Sequence, residues 1–173
     1  MPDGVRLGAA LFNGDHGRLA EEIARLEKAG LDFVHLDVFD GYFVPDVGFS
    51  PRTIATLRKL TRLPFEVHMG VAEPARFIPA LVDAGVDLIV FHVESSAMPF
   101  ETVFSIHDRK VRAGVALSLG TSIETLEPLV ERVDTVLLLS RVTGEGTKGA
   151  GFDPAALPRV RRARDLVRAK GAA

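Results

Sequence analysis

The feature of this 173-residue sequence that most constrains its fold is a regular alternation of short apolar runs with amphipathic stretches. Several apolar runs are almost continuous Val, Ile, Leu and Phe, as is typical of strands buried on both faces of a parallel sheet. The six runs are Arg6–Phe12, Asp32–Phe39, Phe65–Met69, Asp87–Glu94, Ala113–Leu119 and Asp134–Ser140. The stretches between them have helical patterns, so the sequence predicts six βα units with right-handed crossovers.

Residues that begin and end helices lie at the boundaries of these units. Ser50-Pro51 and Asp153-Pro154 each place an N-cap residue before a proline that suits the first helical position. Thr121–Glu124 has the spacing of a capping box, which predicts another helix start. Gly30 and Gly85 are expected to end the helices that precede the second and fourth apolar runs.

Strands that alternate with helices fit either an open doubly wound sheet or a (β/α) barrel of the TIM type. No linker or low-complexity segment divides the sequence, so a single domain is expected over residues 1–173. A complete eight-fold barrel usually has about 250 residues and at least about 200. A barrel built from this sequence is therefore expected to be incomplete, with about six units and two exposed sheet edges.

Composition excludes several classes of function. The net charge is −2, so the sequence predicts no general attraction to nucleic acid or acidic membranes, and the basic stretch Leu157–Lys170 is expected to be a solvated helix face. Cysteine is absent, which excludes disulfides and thiolate metal sites. No apolar run approaches the about 20 residues that span a bilayer, and no signal pattern is present. These features indicate a soluble, cytoplasmic protein.

Polar side chains lie near the ends of two neighbouring apolar runs. His35 and Asp37 are two positions apart, so both point to the same face of a strand, and His68 lies near the end of the next run. Ligands of parallel α/β proteins bind at the carboxyl ends of strands. Two histidines and a carboxylate there would suit a divalent metal such as Zn²⁺ or Fe²⁺, although each could instead be a hydrogen-bonded core residue. His92, a fourth strand histidine, could face the same site or be a hydrogen-bonded core residue, and the core interpretation is favoured.

A glycine-rich stretch, Ser140–Pro154, follows the last apolar run and precedes a helix. Its glycines would let backbone N–H groups approach an anion, and the helix dipole would add to the attraction. The spacing matches neither a Walker A loop nor the dinucleotide-binding fingerprint. The stretch therefore predicts either an anion-binding loop or a mobile linker.

Taken together, these motifs resemble the ribulose-phosphate 3-epimerase family over essentially the whole chain. The segment HLDVFDGYFVPD (35–46) resembles the family signature H-[hydrophobic]-D-[hydrophobic]-M-D-G-x-F-V-P-N, and VHMG (67–70) resembles V-H-L-M. AGVDLIVFHVES (84–95) resembles the fourth strand of the family. TGEGTKGAGFDP (143–154) stands where the family carries the phosphate loop N-P-G-F-G-G-Q.

The resemblance implies a (β/α)₈ barrel that epimerises carbon 3 of a ketopentose 5-phosphate, interconverting D-ribulose and D-xylulose 5-phosphates. It implies that His35, Asp37 and His68 bind a metal and that Asp37 is also the general base. The metal would be Zn²⁺ or Fe²⁺, with Mn²⁺ and Co²⁺ as further candidates. Many members of the family form oligomers, so a homo-oligomer is possible, but the sequence does not give the oligomeric state. The implied substrate contacts are His68, Gly144, Glu145, Gly146 and Thr147.

Several positions depart from the family pattern. Ala10 stands in place of a substrate-binding serine, Phe39 and Gly70 replace two active-site methionines, and Thr147 replaces the last glycine of the phosphate loop. The family's second acid, an aspartate in a D-G-G motif that is also the fourth metal ligand, has no counterpart in the 173 residues. The sequence is thus expected to be either part of a longer chain or a shortened relative, with an altered pocket.

Two alternatives to an epimerase are open. One is a related sugar-phosphate aldolase or decarboxylase, but Asp37–Asp40 lacks the lysine of the D-x-K-x-x-D motif that such decarboxylases carry. The other is a homologue that is catalytically inactive or acts on an altered substrate, and that binds a sugar phosphate or a protein partner. The missing aspartate favours this alternative. The intact His35, Asp37 and His68 oppose it, because buried polar groups without a role are costly.

Overall fold

The computed structural model describes residues 4–141 and 151–170, and its centre is one sheet of six parallel strands. Each strand pairs with the next strand of the chain, and all six overlap the predicted apolar runs, which confirms the predicted strands. The strands are β1 (Gly8–Ala10), β2 (Phe33–Phe39), β3 (Phe65–Gly70), β4 (Leu88–His92), β5 (Arg112–Leu117) and β6 (Thr135–Leu138).

The order of the strands decides between the two predicted architectures. A doubly wound sheet reverses its strand order at a switch point, whereas this sheet follows the chain order from β1 to β6. Right-handed crossovers that always advance in the same direction place every connection on one side of the sheet, which then curls toward a barrel. Among the described residues β1 and β6 do not pair with each other, so the sheet is an open half-barrel.

Helices connect the strands and cover one face of the sheet. Among the described residues, none of them is both long and apolar enough to cross a membrane. The α-helices are α1 (Leu19–Lys28), α2 (Pro51–Arg58), α3 (Ile78–Asp83), α4 (Pro99–His107) and α5 (Ala156–Ala169), and 3-10 segments lie at Leu11–Asn13, Pro74–Arg76, Val93–Ser95 and Ile123–Leu126.

Three of the predicted helix boundaries depend on local backbone chemistry that the structure confirms. The hydroxyl oxygen of Ser50 accepts a hydrogen bond of 3.2 Å from the backbone N–H of Thr53, which caps α2. Gly30 and Gly85 follow α1 and α3 with φ of 73° and 83°. This left-handed conformation ends a helix at little cost only when the residue lacks a side chain.

Of the two other predicted helix starts, one was wrong and one lies two residues before the observed helix. Thr121–Glu124 does not form a capping box, because the Thr121 hydroxyl donates to Glu94 and a short 3-10 segment follows. Pro128 has no N–H to continue that segment as an α-helix.

Helix α5 begins at Ala156, two residues after Pro154. Oδ1 of Asp153 accepts a hydrogen bond of 2.8 Å from the Ala155 N–H, as an N-cap does, and the Asp153 carbonyl accepts one of 3.0 Å from the Ala156 N–H, so Asp153 and Pro154 form the turn that leads into the helix.

The two faces of the sheet carry different side chains, which explains why polar residues interrupt apolar strands. On β2, Val34, Leu36 and Val38 belong to the main hydrophobic core, which also contains the buried side chains of the helices. The alternate residues His35 and Asp37 point to the opposite face. That face carries a smaller apolar cluster formed by Leu88, Val90 and Ala116 with Leu137 packed against it. This face, which we call the inner face of the sheet, therefore carries a small apolar cluster together with polar side chains.

Candidate active site

Three polar side chains of the inner face converge at the carboxyl ends of β2 and β3. The strand register places Asp37 directly beside His68. Nε2 of His35 lies 3.4 Å from Oδ1 of Asp37, and Nδ1 of His68 lies 3.1 Å from the same oxygen. One ligand atom from each of the three residues lies within 4.8 Å of the other two. The structure thus brings together the three residues that the sequence singled out as metal ligands.

The spacing of these atoms fits a bound divalent cation. Nitrogen and oxygen ligands about 2.0–2.2 Å from Zn²⁺ in a tetrahedral site lie about 3.3–3.5 Å from one another. The distances from Oδ1 of Asp37 to His35 and His68, 3.4 and 3.1 Å, are close to this separation. Two imidazole nitrogens and one carboxylate oxygen also form a donor set that suits several divalent metals. The arrangement can therefore hold a divalent cation.

Burial and mutual hydrogen bonding shift the protonation of the three residues. Burial alone would lower the pKa of His35, but hydrogen bonds to Asp37 and Glu66 raise it to about 9. Burial alone would raise the pKa of Asp37, but hydrogen bonds to His35 and His68 hold it far below its usual value. The burial of His68, which is 4% exposed, lowers its pKa. Asp37 is therefore ionised and His68 neutral at neutral pH, as metal ligation requires, whereas His35 is protonated and would release a proton when a metal binds.

His92 is a buried residue, as predicted, but it also contacts the cluster. Its side chain is 0% exposed, and its Nε2 lies 2.9 Å from Nε2 of His68. On the other side of the ring, Nδ1 lies 3.0 Å from Oε2 of Glu94. His92 is therefore a hydrogen-bonded core residue, as expected, and it also borders the candidate site, because its partner His68 is a candidate metal ligand.

Two glutamates contact the histidines, and the sequence analysis did not single them out as site residues. Oε1 of Glu66 lies 2.7 Å from Nδ1 of His35, the ring nitrogen that faces away from Asp37. Glu94 makes the corresponding contact with His92. Glu66 precedes His68 by two positions and Glu94 follows His92 by two, a spacing that could have identified both glutamates as residues near the site.

Asp40 holds the loop that follows β2. Its Oδ1 accepts hydrogen bonds of 2.9 Å from the backbone N–H groups of Tyr42 and Phe43, and its Oδ2 accepts one of 2.8 Å from Ala72. The loop then returns at Gly48, where a Cβ atom would lie 2.4 Å from a backbone nitrogen of β2. Only glycine fits such a close approach, so Asp40 and Gly48 together hold the loop across the end of the strand.

Of the remaining positions that the sequence singled out, the structure describes three and leaves most of the glycine-rich stretch undescribed. Ala10 is paired with His35 in the register of β1 and β2, so its methyl group stands at this edge of the cluster in place of a hydroxyl. Phe39 and Gly70 are paired at the ends of β2 and β3. The predicted phosphate contacts lie outside the described residues and stay predictions; they are Gly144, Glu145, Gly146 and Thr147.

Comparison with known proteins gives the family. The model of the Ribulose-phosphate 3 epimerase family matches residues 6–173. The ribulose-phosphate 3-epimerase of Bacillus subtilis is 33% identical over 167 residues, which cover 96% of this chain and 76% of the relative. That of Chlamydia pneumoniae is 36% identical over 169 residues, with coverages of 98% and 73%.

The solved structures support the barrel-type fold. A mutant tryptophan synthase alpha-subunit from Pyrococcus furiosus matches with a TM-score of 0.66 over 93% of this chain and 73% of that chain. The identity is 15%, so this likeness concerns the fold alone. The family match and the curated relatives, in contrast, extend over nearly the whole sequence, and the chain belongs to the ribulose-phosphate 3-epimerase family.

Proposed function

We propose that this chain epimerises carbon 3 of a ketopentose 5-phosphate, interconverting D-ribulose 5-phosphate and D-xylulose 5-phosphate, with a bound divalent metal. The observation that carries the proposal is the convergence of His35, Asp37 and His68 at the carboxyl ends of β2 and β3. Family membership supports it, because the curated relatives are named ribulose-phosphate 3-epimerases.

The proposed metal ligands are Nε2 of His35, Oδ1 of Asp37 and Nδ1 of His68. Zn²⁺ and Fe²⁺ are the first candidates and Mn²⁺ and Co²⁺ the next, because all four accept imidazole and carboxylate ligands. A metal bound there would act as a Lewis acid toward the ketone oxygen beside carbon 3 and would stabilise the negative charge of the enediolate.

Asp37 is the proposed general base. The proton on carbon 3 is adjacent to a ketone, so a carboxylate that reaches it can remove it and leave an enediolate. Hydrogen bonds to His35 and His68 keep Asp37 ionised at neutral pH, which is the form that accepts a proton. A positioned base of this kind typically contributes about 10²–10⁴-fold to the rate. His68 is proposed to contact the substrate as well, beside its role as a ligand.

Epimerisation also requires an acid on the face of carbon 3 opposite Asp37. The 173 residues contain no D-G-G motif of the kind that supplies this acid in the family resemblance, so we assign the second acid to no residue. The phosphate group is proposed to bind the backbone of the glycine-rich stretch at Gly144, Glu145, Gly146 and Thr147.

Hydrogen exchange at carbon 3 tests the proposal directly. The chain is incubated with D-ribulose 5-phosphate in D₂O, separately with each of the four metals, and carbon 3 is followed by NMR. Deuterium at carbon 3 of both sugar phosphates supports the complete reaction. Deuterium with retained configuration supports the base and the metal but shows that these 173 residues supply no second acid. Absence of exchange with all four metals would contradict the proposal.

A further inference from the structure

We infer that Asp40 is a positioning residue that connects the ends of β2 and β3 and so fixes the separation between Asp37 and His68. The inference rests on the proposed function, because it concerns the geometry of two proposed metal ligands, but Asp40 itself is neither a ligand nor the base. The starting observation is that the two carboxylate oxygens of Asp40 bind different segments of the chain.

The carboxylate of Asp40 joins the loop after β2 to the neighbouring strand. Its Oδ1 accepts hydrogen bonds of 2.9 Å from the backbone N–H groups of Tyr42 and Phe43, which lie in that loop. Its Oδ2 accepts one of 2.8 Å from the backbone N–H of Ala72, two residues past the end of β3. Hydrogen bonds to a charged acceptor are stronger than those between neutral groups, so this connection is a firm one.

Backbone pairing alone does not hold the two strands together beyond their last pair. The register of β2 and β3 ends at Phe39 and Gly70. Adjacent strands are rotated by about 20–25° relative to each other, so their ends diverge where pairing stops. The chain also turns at Gly41, whose φ is 74°. The bond from Ala72 to Asp40 therefore continues the connection past the point where the ladder ends.

The loop that Asp40 holds is bonded at its other end to Asp37. The backbone N–H of Phe49 donates a hydrogen bond of 2.8 Å to the carbonyl of Asp37. On the other strand, Val71 follows β3 directly and is 0% exposed, so the end of the strand that carries His68 is packed in the core. A contact that fixes the loop against the end of β3 thus also fixes Asp37 against His68.

Asp40→Asn removes the connection to β3 and keeps the bonds within the loop. The two N–H donors of the loop hold the amide oxygen at the position of Oδ1, so the amide NH₂ group faces the N–H of Ala72. Two donors do not bond to each other. We expect the backbone amide signals of Asp37 and His68 to shift in ¹H–¹⁵N NMR spectra of the metal-free chain. The affinity for Co²⁺, titrated by ligand-field absorption, should fall about 10-fold, the lower end of the effect of outer contacts at metal sites.

Asp46→Asn is the matched control. Asp46 lies in the same loop, and its Oδ1 accepts a hydrogen bond of 2.8 Å from the next residue, Val47. This variant should keep the wild-type amide signals of Asp37 and His68 and the wild-type affinity for Co²⁺. Asp40→Ser is a second test variant, because its hydroxyl can still accept a bond from the loop but is too short to reach the end of β3.

The metal-free spectra decide the inference independently of the metal proposal. A scalar coupling across the hydrogen bond from Ala72 N–H to the Asp40 carboxyl carbon in the wild type, with shifted Asp37 and His68 signals in a folded Asp40 variant, supports it. Absence of this coupling overturns it, as do folded Asp40→Asn or Asp40→Ser chains that match Asp46→Asn in both signals and Co²⁺ affinity. A wild-type chain that binds no Co²⁺ would contradict the metal site, and the spectra would still decide the role of Asp40.

Discussion

The ring of Phe39 fills the space that a side chain at Gly70 would occupy. The two residues are paired at the ends of β2 and β3, and a Cβ atom on Gly70 would lie 2.8 Å from Cδ1 of Phe39. The ring is held edge-on against Phe12 and His68, with centroid distances of 5.6 and 6.0 Å. The large and the small residue therefore complement each other beside the candidate metal site.

Gly70→Ala is expected to destabilise the chain by about 1–3 kcal/mol, because the added methyl group overpacks the ring of Phe39. Chemical denaturation measures the change. The double variant Phe39→Ala/Gly70→Ala should lose less stability than the sum of the two single variants, since the clash disappears. Gly120→Ala is the control, because nothing lies within 4 Å of a Cβ there. Additive losses would show that the two positions are not coupled.

Asp37→Asn is expected to reduce deuterium incorporation at carbon 3 by about 10²–10⁴-fold, because an amide does not accept the proton. The fold should persist, since Asp37 lies on the inner face and the main core on the other. NMR of the sugar phosphate and circular dichroism measure the two properties. Asp83→Asn, at an exposed position of α3, should retain wild-type exchange. Normal exchange by Asp37→Asn would require a different base.

Metal binding is expected to raise the melting temperature of the wild-type chain. A ligand at 100 times its dissociation constant stabilises by about 2.7 kcal/mol, or about 5–10 °C for a chain of this length. The shift should appear with Zn²⁺ and disappear on addition of EDTA. His35→Ala should abolish it, whereas the exposed His16→Asn should keep it. An undiminished shift in His35→Ala would place the metal elsewhere.

Replacement of Glu94 by glutamine should change how the stability of the fold depends on pH. The pKa of Glu94 in the fold is about 2, below its ordinary value of 4.5, so its carboxylate contributes stability above about pH 4.5 that is lost as the pH falls toward 2. The variant should be less stable than wild type by about 1–3 kcal/mol at pH 7 and by less at pH 3. Urea unfolding at both pH values measures the difference, and an equal loss at both would refute the explanation.

The strands and the candidate metal ligands could be predicted because their signals are local. The apolar runs mark the six strands, and His35, Asp37 and His68 lie near the ends of consecutive runs, which a parallel sheet brings to one edge. The failed helix start at Thr121–Glu124 had a local signal too, but Pro128 and the bond to Glu94 override it.

The residues that contact the candidate ligands could not be predicted, because these contacts depend on strand register. Glu66 meets His35 across 31 positions of sequence, and His68 meets His92 across 24. The complementarity of Phe39 and Gly70 is of the same kind, because neither residue indicates its partner until β2 and β3 are aligned. The sequence therefore identified the polar cluster, and the fold was needed to show what surrounds it.

The chain-order pairing of the strands bears on how the protein forms during synthesis on the ribosome. Each new strand adds to the edge left by the strand before it, so no strand waits for a partner made much later. His35, Asp37, Glu66 and His68 all lie on β2 and β3, so their pairing needs no residue beyond Gly70. The ligand cluster can thus assemble early, before β4 brings His92 alongside it.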